Sequence, residues 1–166
     1  MIETITESGM DFIADNVFHI EKSPFYTRLR GSVKSVEFVR AKGCKLMFVE
    51  AKSSFPKLND TDDKKSTRFR EEVEEMCDKF VHSLNLYSSI DVGVADNGFP
   101  ADFKPADKVS LVFILVINGF KTAWCDPIKK ALRNRVRQSR CMANIWKPEI
   151  FVINEKTAAA RKLITN

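Results

Sequence analysis

The chain has 166 residues, of which 44% are hydrophobic and 30% are charged, as is usual for one globular domain with a buried core. We therefore expect residues 1–166 to form a single domain. The formal net charge of +5 at pH 7 permits a polyanionic partner without requiring one.

Several classes of protein are excluded by simple counts. The four cysteines form no C-x-x-C pair and only two histidines are present, so neither a zinc site nor a disulfide framework is expected. The longest apolar run, residues 111–117, is too short to cross a bilayer. Residues 1–7 lack the basic and apolar regions of a secretion signal. We expect a cytoplasmic protein without a membrane partner.

The first part of the chain gives weak signals. Residues 1–16 permit a short strand, followed by a turn or a short helix. Ser23 and Pro24 are typical of an N-cap and a first helical residue, which predicts a short helix from Pro24 onward.

The clearest strand is predicted over residues 45–54, where β-branched and aromatic side chains dominate. Both of its faces are apolar until Glu50, which favours a central position in the sheet. Residues 33–40 have a similar pattern, and the short connection contains Gly43. The two segments therefore predict an antiparallel hairpin.

The register of this hairpin decides which side chains meet. With Lys42 and Gly43 at the centre of the turn, Glu37 faces Phe48. Glu37 is then a diagonal neighbour of Glu50 on the same face of the sheet. A slip of one residue would move Glu37 to the opposite face.

Two carboxylates on one face, with Lys52 beside them, can hold a hard divalent cation. The arrangement of Glu37 on the first hairpin strand and Glu50-Ala51-Lys52 on the second resembles the PD-(D/E)xK nuclease superfamily. The resemblance extends from about residue 21 to residue 154. Its first motif is atypical, because Val36-Glu37 stands where the family usually has Pro-Asp.

The resemblance implies a restriction-endonuclease-like fold and a metal-dependent nuclease acting on DNA or RNA. Glu37, Glu50 and the carbonyl of Ala51 would hold Mg²⁺ or Mn²⁺, and Lys52 would act on the attacking water. Glu21 would be the extra acidic residue on the helix before the hairpin, with Glu7 behind it. A solvated surface position is the alternative for Glu21. The resemblance also suggests a bacterial or phage protein.

The remaining elements follow from periodicity. Apolar residues at three- and four-residue spacing predict a helix over residues 66–87. A long connection follows, with a short strand at residues 90–94 as one option. The apolar residues 109–118 predict a second central strand. A helix over residues 124–142, a strand over 146–154 and a short helix over 155–164 complete the order.

The helix at residues 124–142 is the most basic element of the chain. It can track a phosphate backbone, or it can be a solvated face that balances the acidic helix before it. The cations that would hold nucleic acid are Lys129, Lys130, Arg133, Arg137 and Arg140.

The expected fold is α/β, with a mixed central sheet, hairpin plus parallel crossover strands, flanked by helices. The expected function is a metal-dependent nuclease that hydrolyses phosphodiester bonds. The alternative is a catalytically inactive nuclease-like domain that binds nucleic acid or a protein partner. The sequence leaves open DNA versus RNA, and whether the chain forms a homodimer.

Overall fold

A computed structural model describes residues 3–58, 61–95 and 97–165 of the chain. Its elements form an α/β structure in which helices pack on a mixed sheet. The strands are β1 (Thr4–Glu7), β2 (Met10–Ile13), β3 (Val17–Phe18), β4 (Phe38–Lys42), β5 (Lys45–Lys52), β6 (Ser110–Ile117) and β7 (Glu149–Asn154). The helices are α1 (Pro24–Leu29), α2 (Asp63–Asp91), α3 (Thr122–Arg137) and α4 (Glu155–Ala160).

The main sheet has five strands in the order β3-β4-β5-β6-β7. Strand β4 is antiparallel to both β3 and β5, whereas β5, β6 and β7 are parallel to one another. The hairpin and the two helical crossovers therefore produce a mixed sheet, which confirms the predicted α/β class. Strand β5 lies in the centre, as its two apolar faces predict.

The predicted hairpin register is wrong by two residues. The structure pairs Lys42 with Lys45, so the turn is centred on Gly43 and Cys44, and Gly43 has a φ of +57°. A turn residue with positive φ favours glycine. Side chains alternate with a period of two, so this shift leaves every side chain on its predicted face.

Helix α2 is longer than its predicted range of residues 66–87. It begins after Asp62, whose side chain accepts hydrogen bonds from the backbone of Lys64 and Lys65. The buried apolar series continues to Ile90, and the helix therefore runs through Asp91. The predicted short strand at residues 90–94 is wrong for this reason.

Helix α3 covers most of the predicted range 124–142, but it begins two residues earlier and ends at Arg137. A single π-helical turn, Met142–Trp146, leads into β7. Lys147 has a left-handed backbone with a φ of +46°, and this residue ends the π-helical turn.

Helices α2 and α3 cover one face of the main sheet. The other face is covered by the small sheet of β1 and β2 and by α4. The sequence predicted a turn or a short helix at residues 9–16, whereas the structure has strand β2. Ser8 and Gly9, with φ values of +51° and +75°, form the tight turn of this hairpin. Residues 163–165 pair with β2 through Ile13 N–H to Leu163 O (2.9 Å) and Thr165 N–H to Asp11 O (2.8 Å).

No helix in the described part of the chain is both long and apolar enough to cross a membrane.

The first prediction concerns Asn154, a buried polar residue at the end of β7. Its Oδ1 accepts from the Thr157 backbone and caps α4, and its Nδ2 donates to the Phe120 carbonyl at 2.9 Å. Replacement by Ala should lower the free energy of unfolding by about 1–3 kcal/mol, since a cap is lost and a carbonyl loses its donor. Urea denaturation measures this.

Asn134→Ala is the matched control, because Asn134 is exposed within α3. Alanine is the better helix former, so this variant should be as stable as the wild type or slightly more stable. Equal destabilisation by the two substitutions would contradict the role of Asn154.

Candidate metal centre

Glu50 lies near the end of β5, on the sheet face that α2 covers, and its residue is only 1% exposed. Its Oε1 accepts a hydrogen bond from the Lys79 ammonium of α2 at 2.6 Å. Its Oε2 is buried and has no hydrogen-bond partner among the residues described. A buried carboxylate oxygen without a donor is costly, so this atom is open to a further ligand.

The segment before β4 places Glu37 beside Glu50. Ser83 of α2 accepts a hydrogen bond from the Val36 backbone (2.8 Å), and His82 Nδ1 accepts one from the Lys34 backbone (3.0 Å). The Glu37 N–H donates to the Val49 carbonyl at 3.1 Å. These bonds anchor the segment before Glu37 and the backbone of Glu37 itself, which is the residue just before β4 begins.

The pKa values of two carboxyl groups in this region, Glu37 and Glu50, are raised. Burial, then a hydrogen bond with the Glu21 carboxyl, then the charge of Glu50 raise the pKa of Glu37 to about 9. Burial raises the pKa of Glu50 to about 7, although Lys79 and Lys52 act to lower it. Glu37 therefore carries a proton at neutral pH when no metal is bound.

The predicted carbonyl ligand lies on the side of Glu37. In β5, the Lys52 carbonyl accepts from the Asn118 N–H beyond the end of β6. Successive strand carbonyls point to opposite sides, so the Ala51 carbonyl is directed toward β4. The paired residues of β4 and β5 end at Phe38 and Val49, and Ala51 lies past that pair.

Lys52 is on the same face as Glu50, as the alternation of β5 predicts. Its ammonium lies 3.6 Å from Glu72 Oε2 and 3.8 Å from Glu75 Oε1, both on α2. Its charge also acts on Glu50. These two ion pairs are partly exposed and hold Lys52 only weakly.

Glu21 occupies a short 3-10 turn, Ile20–Lys22, rather than a longer helix before the hairpin. Its carboxyl nevertheless reaches Glu37, and its charge acts on Glu50 and Lys79 as well. Glu7 on β1 joins the same region, where it lies 3.6 Å from His19 and 3.8 Å from Lys22. The structure thus brings Glu21, Glu37 and Glu50 together.

The donor set suits a hard divalent cation that keeps several waters. Within residues 3–58, 61–95 and 97–165, no group of three His, Cys, Asp or Glu side chains is disposed to hold a metal ion. Mg²⁺ needs only one or two carboxylates, with carbonyl and water oxygens completing its shell. Glu37, Glu50 and the Ala51 carbonyl match that requirement, and the unpartnered Oε2 of Glu50 fits it.

Lys79 is a residue of the candidate site that sequence reasoning missed. Burial acts to lower its pKa, but the charge and hydrogen bond of Glu50, with Glu37 and Glu21, outweigh burial and raise it. The signal for Lys79 is its spacing, since Glu72, Glu75 and Lys79 share one stripe of α2 at positions i, i+3 and i+7. That stripe borders the apolar face that packs on the sheet, so it meets the end of β5.

Most of the basic face of α3 lies away from this candidate centre. Arg135 forms a bidentate ion pair with Glu74 of α2, which ties the two helices together. Lys129 Nζ lies 5.4 Å from the centre of the Phe151 ring. Helix α3 starts at the sheet end that carries Lys52 and runs about 24 Å away from it, so Arg137 lies far from Glu50.

No family model matches the sequence, and no significant match was found among the curated proteins or the solved structures.

The second prediction concerns the pair of Lys79 and Glu50. In Lys79→Met, Glu50 loses its cation while Glu21 and Lys52 still act on it, so its pKa rises further. Protonated Glu50 is tolerated in the folded state at low pH. The free energy of unfolding therefore falls as the pH rises through the raised pKa of Glu50. Urea unfolding should show a loss of about 3 kcal/mol at pH 8 and a smaller loss at pH 5.

The double variant Glu50→Gln/Lys79→Met provides the control, because it removes both charges. It should recover much of the stability at pH 8, since a neutral pair carries a smaller desolvation cost. If Lys79→Met loses the same stability at both pH values, the buried charge of Glu50 is not the cause.

Proposed function

We propose that this chain is a metal-dependent nuclease of the PD-(D/E)xK type, with a restriction-endonuclease-like fold. The observation that carries the proposal is the buried Oε2 of Glu50, which has no hydrogen-bond partner among the described residues and lies near the Glu37 carboxyl. The pairing of β5 also supports the proposal, because β5 forms an antiparallel hairpin with β4 and is parallel to β6 on its other side.

Glu37, Glu50 and the Ala51 carbonyl would hold Mg²⁺ or Mn²⁺. When bound, the metal supplies a Lewis acid that polarises the phosphate and lowers the pKa of a coordinated water. Lys52 orients the attacking water and stabilises the negative charge that develops on the phosphate. In the metal-free protein Glu21 is hydrogen-bonded to the protonated Glu37 carboxyl, and Glu37 would release that proton on becoming a metal ligand.

Lys79 has a positioning role in this proposal. Its ammonium fixes the Glu50 carboxylate through Oε1 at 2.6 Å, which leaves Oε2 for the metal. It also compensates the charge of Glu50 in the metal-free protein, where burial of an unpaired carboxylate would be costly.

A second candidate is a catalytically inactive nuclease-like domain that binds nucleic acid or a protein partner. The observation that favours it is the same Lys79 ammonium, because a protein cation at Glu50 can replace a metal. The pairing of Lys52 with Glu72 and Glu75 agrees with this alternative. In either case, the cations of α3 remain a predicted nucleic-acid surface.

The third prediction tests catalysis. Glu50→Gln and Lys52→Ala should each reduce Mn²⁺-dependent cleavage by at least about 100-fold, because each removes a group that acts on the developing charge. Cleavage of plasmid DNA, single-stranded DNA and RNA is measured with and without Mn²⁺. Circular dichroism verifies the fold of each variant.

The controls are Glu71→Gln on the exposed side of α2 and Lys45→Ala at the other end of β5. Both should cleave like the wild type. Wild-type rates in Glu50→Gln and Lys52→Ala would refute the catalytic assignment.

The fourth prediction tests metal binding separately from catalysis. At ten times its dissociation constant, Mg²⁺ or Mn²⁺ should stabilise the folded wild type by about 1.4 kcal/mol. Glu37→Gln and Glu50→Gln should lose this effect, whereas Glu71→Gln should keep it. A thermal-shift titration measures it, and a wild type that neither metal stabilises would favour the second candidate.

A further inference from the structure

A pocket opens directly beside Lys52, between the loop that follows β5 and the first turns of α2. Its volume is about 740 Å³. The lining residues that carry a charge are Lys52, Lys57, Lys65, Arg68 and Glu72. Four cations against one carboxylate give this pocket a formal charge of +3.

The charges in the pocket are only partly compensated from within the protein. Glu72 and Glu75 both pair with Lys52, and Lys65 lies 4.0 Å from Asp62 at an exposed position. Arg68 has no ion pair with any residue described. Cations gathered in one concave site repel one another unless an anion joins them, so the pocket favours an anionic ligand.

Lys57 is held at the rim by an aromatic ring. Its Nζ lies 3.5 Å from the centre of the Trp124 ring, at the start of α3. Phe120 packs edge-on against the same indole, with ring centres 5.1 Å apart. The cation–π contact keeps the ammonium near the pocket while leaving its hydrogen-bond donors available.

The uncharged lining combines two serines, Ser53 and Ser54, with three apolar side chains. The apolar side chains are those of Phe55, Pro56 and Leu58, of which Leu58 is 46% exposed and is the one large exposed aliphatic side chain of this loop segment. Cations beside an apolar wall match a nucleotide, which presents a phosphate and a flat base. A pocket of this volume accepts one unpaired nucleotide. The bases of a duplex stay stacked inside the duplex and do not enter the pocket.

We propose that this pocket binds a nucleotide of a single-stranded polynucleotide next to the bond that is cleaved. This inference rests on the proposed nuclease function, because Lys52 belongs to both sites and links them. It makes single-stranded nucleic acid, or an unpaired segment within a duplex, the preferred substrate class.

The experiment measures binding without cleavage. Fluorescein-labelled single-stranded octamers of DNA and RNA, and a 12-base-pair duplex, are titrated with the protein in EDTA, and anisotropy is recorded. The wild type should bind at least one of the single strands about tenfold more tightly than the duplex. Lys57→Ala/Arg68→Ala should weaken that binding about tenfold or more, because phosphate contacts dominate affinity.

Lys45→Ala/Arg70→Ala is the matched control, since it removes the same two residue types from exposed positions outside the pocket. It should stay within about twofold of the wild type. In a Trp146→Phe background, the remaining tryptophan, Trp124, should change its fluorescence when the octamer binds.

Several outcomes would overturn the assignment. These are equal losses in the pocket and control variants, duplex binding as tight as single-strand binding, or binding of dTMP as tight as that of the octamer. A larger loss in Arg137→Ala/Arg140→Ala would place the nucleic-acid strand at the end of α3 and the segment that follows it, and would also overturn the assignment.

Binding and cleavage separate the two proposals. If the pocket variants lose binding while the wild type cleaves no substrate, the nuclease proposal fails and the pocket stands. If the wild type cleaves and the pocket variants bind and cleave equally well, the pocket fails and the nuclease stands.

Discussion

The buried ion pair between Glu50 and Lys79 is the constraint on which the rest of the centre depends. A carboxylate placed inside a central strand requires a cation or a proton, because an isolated buried charge is very costly. The helix that covers this strand supplies the cation, and this ion pair acts together with the buried apolar face of α2 to fix the rotation of the helix about its own axis. Once α2 is oriented in this way, its other side chains reach defined partners. Glu72 and Glu75 meet Lys52, while His82 and Ser83 hold the segment before β4.

This orientation explains how a short, irregular segment brings Glu37 to the centre. Strand β4 begins only at Phe38, so sheet hydrogen bonds alone would leave Glu37 poorly fixed. Side chains of α2 accept hydrogen bonds from the backbone just before Glu37. The N–H of Glu37 donates to a carbonyl of β5. The carboxyl then lies among others of the same charge. Burial and these neighbouring carboxyl groups raise the pKa of Glu37 to about 9.

Much of this arrangement follows from periodicity in the sequence. The alternation of β5 places Glu50 and Lys52 on one face, and it does so even though the predicted turn was displaced, because a shift of two residues preserves the alternation. The apolar series of α2 is equally clear. The partner of Glu50 was not predictable in the same way. Several charged residues flank that apolar series, and only the packing of α2 on the sheet selects Lys79 from among them.

Short segments were the other source of error. Strands of four residues, such as β1 and β2, carry too few apolar positions to identify a period, so the first hairpin was not recognised. The basic pocket combines a loop, a helix start and the end of a strand, and no spacing in the sequence relates these three. Conversely, the basic series in α3 is conspicuous in the sequence, but the direction of that helix carries most of it away from Glu50.

The pairing of residues 163–165 with β2 joins two segments more than 150 positions apart in the chain. The last strand of the main sheet, β7, ends at Asn154, nine residues before Leu163. Phe12 already packs against Phe38 of that sheet, but the edge of β2 is completed only when residues 163–165 pair with it. Closing so long a loop is entropically unfavourable, and we expect this docking to be a late step in folding. The side of the sheet that carries Ala51 would then be sealed last, after α2 has already enclosed the other side.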